Sequence, residues 1–326
     1  MAEVDEVLLR ETPSRFVVFP LQFKAMWQYY KRHIENFWTA DEMEVQDDVT
    51  NFDKLSHDER TFIIRQFASL CATVEIFHRG LISHISSEVQ VSEARSFYGF
   101  QMAMERFHLE VYQKAIESFV AEGHEREQAL SMRVKDEAIK QKVDWALSLS
   151  SELATFDERL IGFSVILGVL HAAEFASLMM MSVRKNLVNV KKAITHIAGD
   201  KALHRDFGMF LRTYLVKKTS ESRIKEIVEK AVQLEEAFVE SSESVPAFDG
   251  VDVDKLNHYI RFSADMLMAQ MGCKKIYNVQ NPFDFMETFD VKNAFEFSEN
   301  IPADGNAHEA EDVFEKQNDF DLDMDF

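Results

Sequence analysis

Apolar residues recur three and four positions apart from Ser56 to Gly272 with scarcely a break, the spacing of one face of an α-helix. The pattern predicts helices over about 56–87, 92–122, 125–147, 152–183, 187–216, 220–243 and 251–272. Helices of about 30 residues exceed the usual length and suit a large all-α bundle. Residues 21–46 read as a further helix with an aromatic face, closing near Trp38-Thr39-Ala40-Asp41. Thr39 with Glu42 three residues on marks a capping box for another short helix. Residues 1–20 read as an extended arm in which Pro13 and Pro20 bracket Arg15-Phe16-Val17-Val18-Phe19. Ile161 to Met181 is mostly apolar, yet it holds His171 and Glu174, both expensive in lipid. The expectation there is a helix buried on all sides in the bundle, not a membrane span.

Composition narrows the class. Ten glycines and five prolines in 326 residues are few for turn-rich sandwiches or barrels. A net charge of −20 argues against nucleic acid or anionic membrane as a general partner. Two cysteines, Cys71 and Cys273, make no disulfide framework and fit a reducing compartment. The acidic opening, Met1-Ala-Glu-Val-Asp-Glu, has no signal-peptide pattern, so a cytoplasmic location is expected. From Glu287 to Phe326 the composition shifts: 13 acidic residues stand against Lys292 and Lys316. The expected organisation is therefore an arm (1–20), a helical bundle (21–287) and an acidic tail (288–326) that is disordered when free. The tail ends in Phe320-Asp321-Leu322-Asp323-Met324-Asp325-Phe326. Large apolar residues alternating with aspartates suit a peptide that orders on docking, with Phe320, Leu322 and Phe326 as its contacts.

Two half-motifs carry the chemistry, Glu105-x-x-His108 and Lys201-x-x-His204. Residues three apart share a helix face, so both side chains of such a pair reach one metal ion. In di-metal carboxylate bundles two helices each bring Glu-x-x-His and two others each bring a carboxylate. Here the second pair has lysine in the glutamate position.

The chain resembles the small subunit of class I ribonucleotide reductase, eukaryotic type. Its landmarks are Arg15-Phe16-Val17-Val18-Phe19-Pro20, Phe37-Trp38-Thr39-Ala40, Glu93-Ala94-Arg95-Ser96-Phe97-Tyr98-Gly99-Phe100-Gln101 and Asn281-Pro282-Phe283-Asp284-Phe285-Met286-Glu287. The Phe-rich acidic terminus completes them. The resemblance implies a ferritin-like bundle that dimerises and docks by its tail on a large catalytic subunit. It also implies a di-iron site that oxidises a tyrosine, whose radical is relayed to the large subunit for ribonucleotide reduction. Carried over by local motif, three ligand positions are retained, Glu105, His108 and His204, and three carboxylate positions are lost, to Val74, Leu167 and Lys201. Neighbouring Glu75 points about 100° away from Val74 on a helix, and His171 and Glu174 lie one and two turns beyond Leu167. The cage thus comes to about zero charge with neutral histidines, which leaves two divalent ions uncompensated in a dry interior. Tyr112 matches the radical tyrosine, and Trp38 and Asp200 match the residues that begin the relay at His108. The family's tail tyrosine has no counterpart, because none follows Tyr277.

These residues imply a metal-poor, non-radical small subunit that assists an active one, as a heterodimer or homodimer. One alternative is an active, metal-free radical subunit with a lysine in a ligand slot. Another is a single metal ion held by Glu105, His108 and His204, the composition of a two-His-one-carboxylate triad. The pairing of Lys201 with Glu105 is expected, and a Lys201 turned to solvent with Glu105 on a metal would favour the single-ion reading.

Overall fold

Thirteen α-helices and no strand occur among the residues described by the computed structural model, which are 6–121, 123–151, 154–241 and 251–283. The chain runs through α1 (Lys24–Glu35), α2 (Val49–Phe52), α3 (His57–Arg79), α4 (Leu81–Glu88), α5 (Ser92–Phe119), α6 (His124–Leu130) and α7 (Met132–Lys135). It continues through α8 (Glu137–Ser148), α9 (Phe156–Gly168), α10 (Ala172–Arg184), α11 (Val188–Thr213), α12 (Glu221–Glu240) and α13 (Val253–Gln270). Phe320, Leu322 and Phe326, with the whole tail expected over 288–326, lie outside the described residues.

Three of the predicted helices are broken. The 56–87 stretch is α3 and α4, parted at Gly80. The 125–147 stretch is α6, α7 and α8; Asp136 starts α8 by accepting hydrogen bonds from the backbone N–H groups of Ala138 and Ile139. The 152–183 stretch is α9 and α10, parted over Val169–His171. The first and third breaks hide in the sequence because the apolar pattern runs on across them, whereas the second falls in a largely exposed stretch. A helix buried on every side gives no polar face to mark where it stops. Phe156 to Arg184 is long and apolar enough to cross a membrane, and 94% of its most apolar window is buried inside the bundle.

The 21–46 helix is also shorter than expected. It ends at Glu35, and 3-10 turns follow at Ala40–Glu42 and Val45–Asp48. The Thr39–Glu42 capping box is present, but over a 3-10 turn. The arm is not simply extended, since Pro13–Phe16 forms a 3-10 turn. Glu93 at the start of α5 accepts from the N–H groups of Gln22 (2.6 Å) and Phe23 (3.0 Å), so the arm's end and the start of α1 are fixed on α5.

The layers follow from apolar faces. α5 is packed by α1 and α3, while α11 runs along α9 and also packs on α10. α8, α12 and α13 close the far side. Gly162 allows α9 its close approach to the end of α8, because a Cβ there would lie 2.8 Å from Leu149 Cδ1. Asp48 reaches across to accept from Val190 N–H at 2.8 Å, capping the first turn of α11 from the 3-10 segment.

Candidate metal centre

The four central helices bring the sequence-predicted positions into the core. Glu105, His108 and Tyr112 lie on α5, and Asp200, Lys201 and His204 lie on α11. Glu105, His108, Tyr112 and His204 are fully buried, and Lys201 is 3% exposed. Val74 on α3 and Leu167 on α9 are buried too and offer only hydrocarbon. The side chain of Glu75 lies outside the described residues.

Glu105 is the hub. Lys201 Nζ donates to its Oε2 at 2.5 Å, His204 Nδ1 lies 3.0 Å from its Oε1, and His108 Nδ1 lies 3.4 Å from Oε2. Burial works to raise the Glu105 carboxyl, but Lys201 and then His108 outweigh it and hold the group well below the usual carboxylate range. The pairing of Lys201 with Glu105 expected from the sequence is thus present.

Trp38, Asp200 and His108 form a connected set. Asp200 Oδ2 accepts from Trp38 Nε1 at 3.0 Å and lies 2.9 Å from His108 Nε2. The Trp38 and His108 rings stack at 5.6 Å and 19°. Burial disfavours a charged His108, yet Glu105 and the Asp200 hydrogen bond push its pKa above the ordinary value.

Two parts of this arrangement escape the sequence. His33 on α1 is fully buried, and its Nε2 lies 3.1 Å from His204 Nε2. Burial, then His204, pushes its pKa down to about 3. Its only sequence signal is a histidine in an aromatic helix, which more often marks a core residue. The second part is a buried cluster of Lys142, Glu174 and Glu235 on α8, α10 and α12. Glu174 belongs there, not with the cage, and His171 Nε2 pairs with Thr73 Oγ1 at 2.9 Å.

Tyr112 is packed against Phe67 at 6.3 Å between ring centroids, and its hydroxyl has no hydrogen-bond partner among the described residues. Burial, then the charge of Glu105, raises its pKa well above the ordinary phenol value. A phenol radical at neutral pH requires the proton to leave with the electron, and among the described residues no acceptor lies within hydrogen-bond reach of this hydroxyl.

A two-metal centre does not fit these donors. One carboxylate at the ligand positions, already paired with an ammonium, cannot balance two divalent ions, and two positions are hydrocarbon.

A bundle of this kind with a carboxylate–histidine core defines the class of di-metal carboxylate proteins. The profile of the family "Ribonucleotide reductase, small chain" matches residues 15–282. The chain belongs to that family, as a small subunit of the eukaryotic-type class I enzyme. It is 37% identical over 324 residues to the ribonucleoside-diphosphate reductase subunit M2 of Mesocricetus auratus, covering 99% of this chain and 82% of that one. It is 37% identical to the human M2 subunit over 297 residues, 90% of this chain and 76% of that one. Among solved structures, the Rnr4 homodimer of Saccharomyces cerevisiae is similar, with a TM-score of 0.80 and 30% identity over 90% of this chain and 93% of that one. The dimanganese NrdF of Streptococcus sanguinis shares the fold, with a TM-score of 0.73 and 14% identity over 79% of this chain and 92% of that one.

Proposed function

We propose that this chain is a metal-poor, non-radical small subunit of ribonucleoside-diphosphate reductase, acting in deoxyribonucleotide biosynthesis beside an active small subunit. The observation that carries the reading is the Lys201–Glu105 ion pair inside the former cage. The ammonium supplies there the positive charge that metal ions would supply. Tyr112 is silent in this reading, and Trp38 and Asp200 keep the geometry of a relay that has no oxidant to feed it. In its working state the chain pairs with a second small subunit and docks on the large subunit through Phe320, Leu322 and Phe326, in the cytoplasm. The retained Glu105, His108 and His204 hold at most one metal ion.

A second reading is an active metal-free subunit. Lys201 in a ligand slot and a fully shielded Tyr112 favour it. The lack of a proton acceptor at Tyr112 among the described residues, and of any tyrosine after Tyr277, weighs against it.

Electron paramagnetic resonance and metal analysis on the chain incubated with ferrous iron and oxygen test the assignment. No radical and well under one iron per chain are expected, with metal uptake regained in the triple variant Val74→Asp, Leu167→Glu, Lys201→Glu. A stable tyrosyl signal from the unmodified metal-free chain would falsify the non-radical assignment and install the second reading.

A further inference from the structure

His204 lies between two partners that together decide where its proton sits. Glu105 Oε1, 3.0 Å from Nδ1, belongs to an ionised carboxylate bound to Lys201 and can only accept. Nδ1 must therefore carry hydrogen. On the other side His33 Nε2 stands 3.1 Å from His204 Nε2, and one of those two nitrogens must be bare. If His204 accepts, His33 donates from Nε2 and its own Nδ1 is a bare nitrogen. That Nδ1 is fully buried and has no hydrogen-bond partner among the described residues. If instead His204 carries hydrogen on Nε2, alone or on both nitrogens, His33 must place its hydrogen on Nδ1. A buried N–H with no acceptor is rarer and costlier than a bare ring nitrogen. Both pairs of contacts therefore select one tautomer.

We propose that His33 is a positioning residue that locks His204 with its proton on Nδ1, the nitrogen facing the cage, and so closes that nitrogen to metal. A ligating imidazole needs the reverse: a bare nitrogen toward the metal and an N–H given to an outer partner. The contrast with His108 is internal to the site. His108 meets Asp200, an acceptor, at its outer nitrogen, while His204 meets a donor there. His33 is itself held in place, with its ring edge-on to Phe100 at 4.7 Å and tilted on Phe97 at 5.2 Å. The site is thus closed twice, by the Lys201 ammonium and by the orientation of the His33–His204 pair. This inference rests on the metal-poor reading above and deepens it.

Histidine-labelled full-length chain gives the direct test. Long-range nitrogen–proton spectra, assigned with His204→Gln and His33→Gln, should show His204 protonated on Nδ1. Cobalt(II) titration gives the second test. The variant Val74→Asp, Leu167→Glu, Lys201→Glu should bind cobalt, and adding His33→Ala or the size-matched His33→Gln should tighten binding about 10-fold, the usual reach of an outer partner. Melting curves establish that each variant is folded, and the spectra of the unmodified chain need no variant. A His204 proton on Nε2 overturns the lock, as does equal cobalt affinity with and without His33. Stoichiometric cobalt binding by the unmodified chain would instead overturn the metal-poor reading, so the two failures are separable.

Discussion

Lys142, Glu174 and Glu235 meet with no exposure to solvent, so one cation serves two carboxyl groups. Lys142 Nζ contacts Glu174 and lies 2.6 Å from Glu235 Oε2, above the Phe238 ring at 4.2 Å. Ser69 Oγ donates to Glu174 at 2.6 Å, and Ala173 N–H donates to Glu235 at 2.8 Å. One carboxyl must stay neutral. Burial and then the Glu174 charge push Glu235 well above its ordinary value. Burial opposes an ionised Glu174, but Lys142 and the hydrogen bond with Glu235 take it down to about 2. The two groups have opposite linkage. The stability from Glu174 is present above its unfolded pKa, about 4.3, and is lost as pH falls toward 2. The stability from Glu235 is full below about 4.3 and is lost as pH rises through its folded value. We expect Glu235→Gln, which mimics the protonated acid without the cost of taking up a proton on folding, to raise stability at pH 7 and to flatten the decline toward alkaline pH. Lys142→Met should cost about 3–5 kcal/mol by leaving buried carboxyls unpaired. Urea denaturation between pH 5 and 9 reads both, and a Glu235→Gln loss as large as that of Lys142→Met would reverse the proton assignment. The triad was illegible in the sequence because its members sit on three helices with no fixed spacing between them. Glu105 and Lys201 were legible because each sits three residues before a histidine on one helix. His33 has no partner at such a spacing, and only the packing of α1 against α5 and α11 brings it to His204.

Helices were read correctly as helices, and their breaks were not. Where a helix has a polar face, as in α12, the predicted 220–243 and observed Glu221–Glu240 agree closely, with Ser220 accepting from Arg223 N–H as the cap. Where both sides are apolar, as across α9 and α10, periodicity cannot mark the interruption. The segment after α13 shows a third case, order supplied by one side chain. Asp265 is fully buried, and its carboxylate accepts from the backbone N–H groups of Ile276 and Tyr277, both at 2.8 Å, and of Val279 at 3.1 Å. These bonds tie the stretch leading to Phe283 onto α13. Asp265→Ala should cost about 3 kcal/mol, since it leaves several donors without their charged acceptor. Hydrogen exchange at residues 276–279 should accelerate far more than exchange within α13. Asp265→Asn, which keeps one acceptor oxygen, should fall between the two. Unchanged protection at 276–279 in Asp265→Ala would mean that other contacts hold the segment.

At the scale of the whole molecule, two proposed surfaces separate by chemistry. One is aromatic and belongs to the bundle. Ring contacts run from Phe19 to Trp27 (5.6 Å), Tyr30 (4.8 Å), Phe100 (6.3 Å), Phe37 (5.8 Å) and Phe107 (5.9 Å) across α1 and α5. Phe19 is 67% exposed and Phe37 48%, and a Cβ on neighbouring Gly99 would meet no atom within 4 Å. On a chain of net charge −20, an aromatic strip half-buried along its length and exposed at Phe19 and Phe37 suits a protein partner more than solvent. It is the face proposed here for pairing with a second small subunit. The other surface is the acidic tail, proposed to dock on the large subunit. The two bindings should fail independently. Phe37→Glu with Phe100→Glu should abolish small-subunit pairing in sedimentation while leaving the proposed tail docking intact, because a docking peptide needs no contact from the bundle face. Truncation after Asn318 should do the opposite, and a Phe320–Phe326 heptapeptide should compete with the full chain for the large subunit. Loss of large-subunit binding in the double aromatic variant, with the tail untouched, would show that docking depends on the paired bundle and that the tail alone does not carry it.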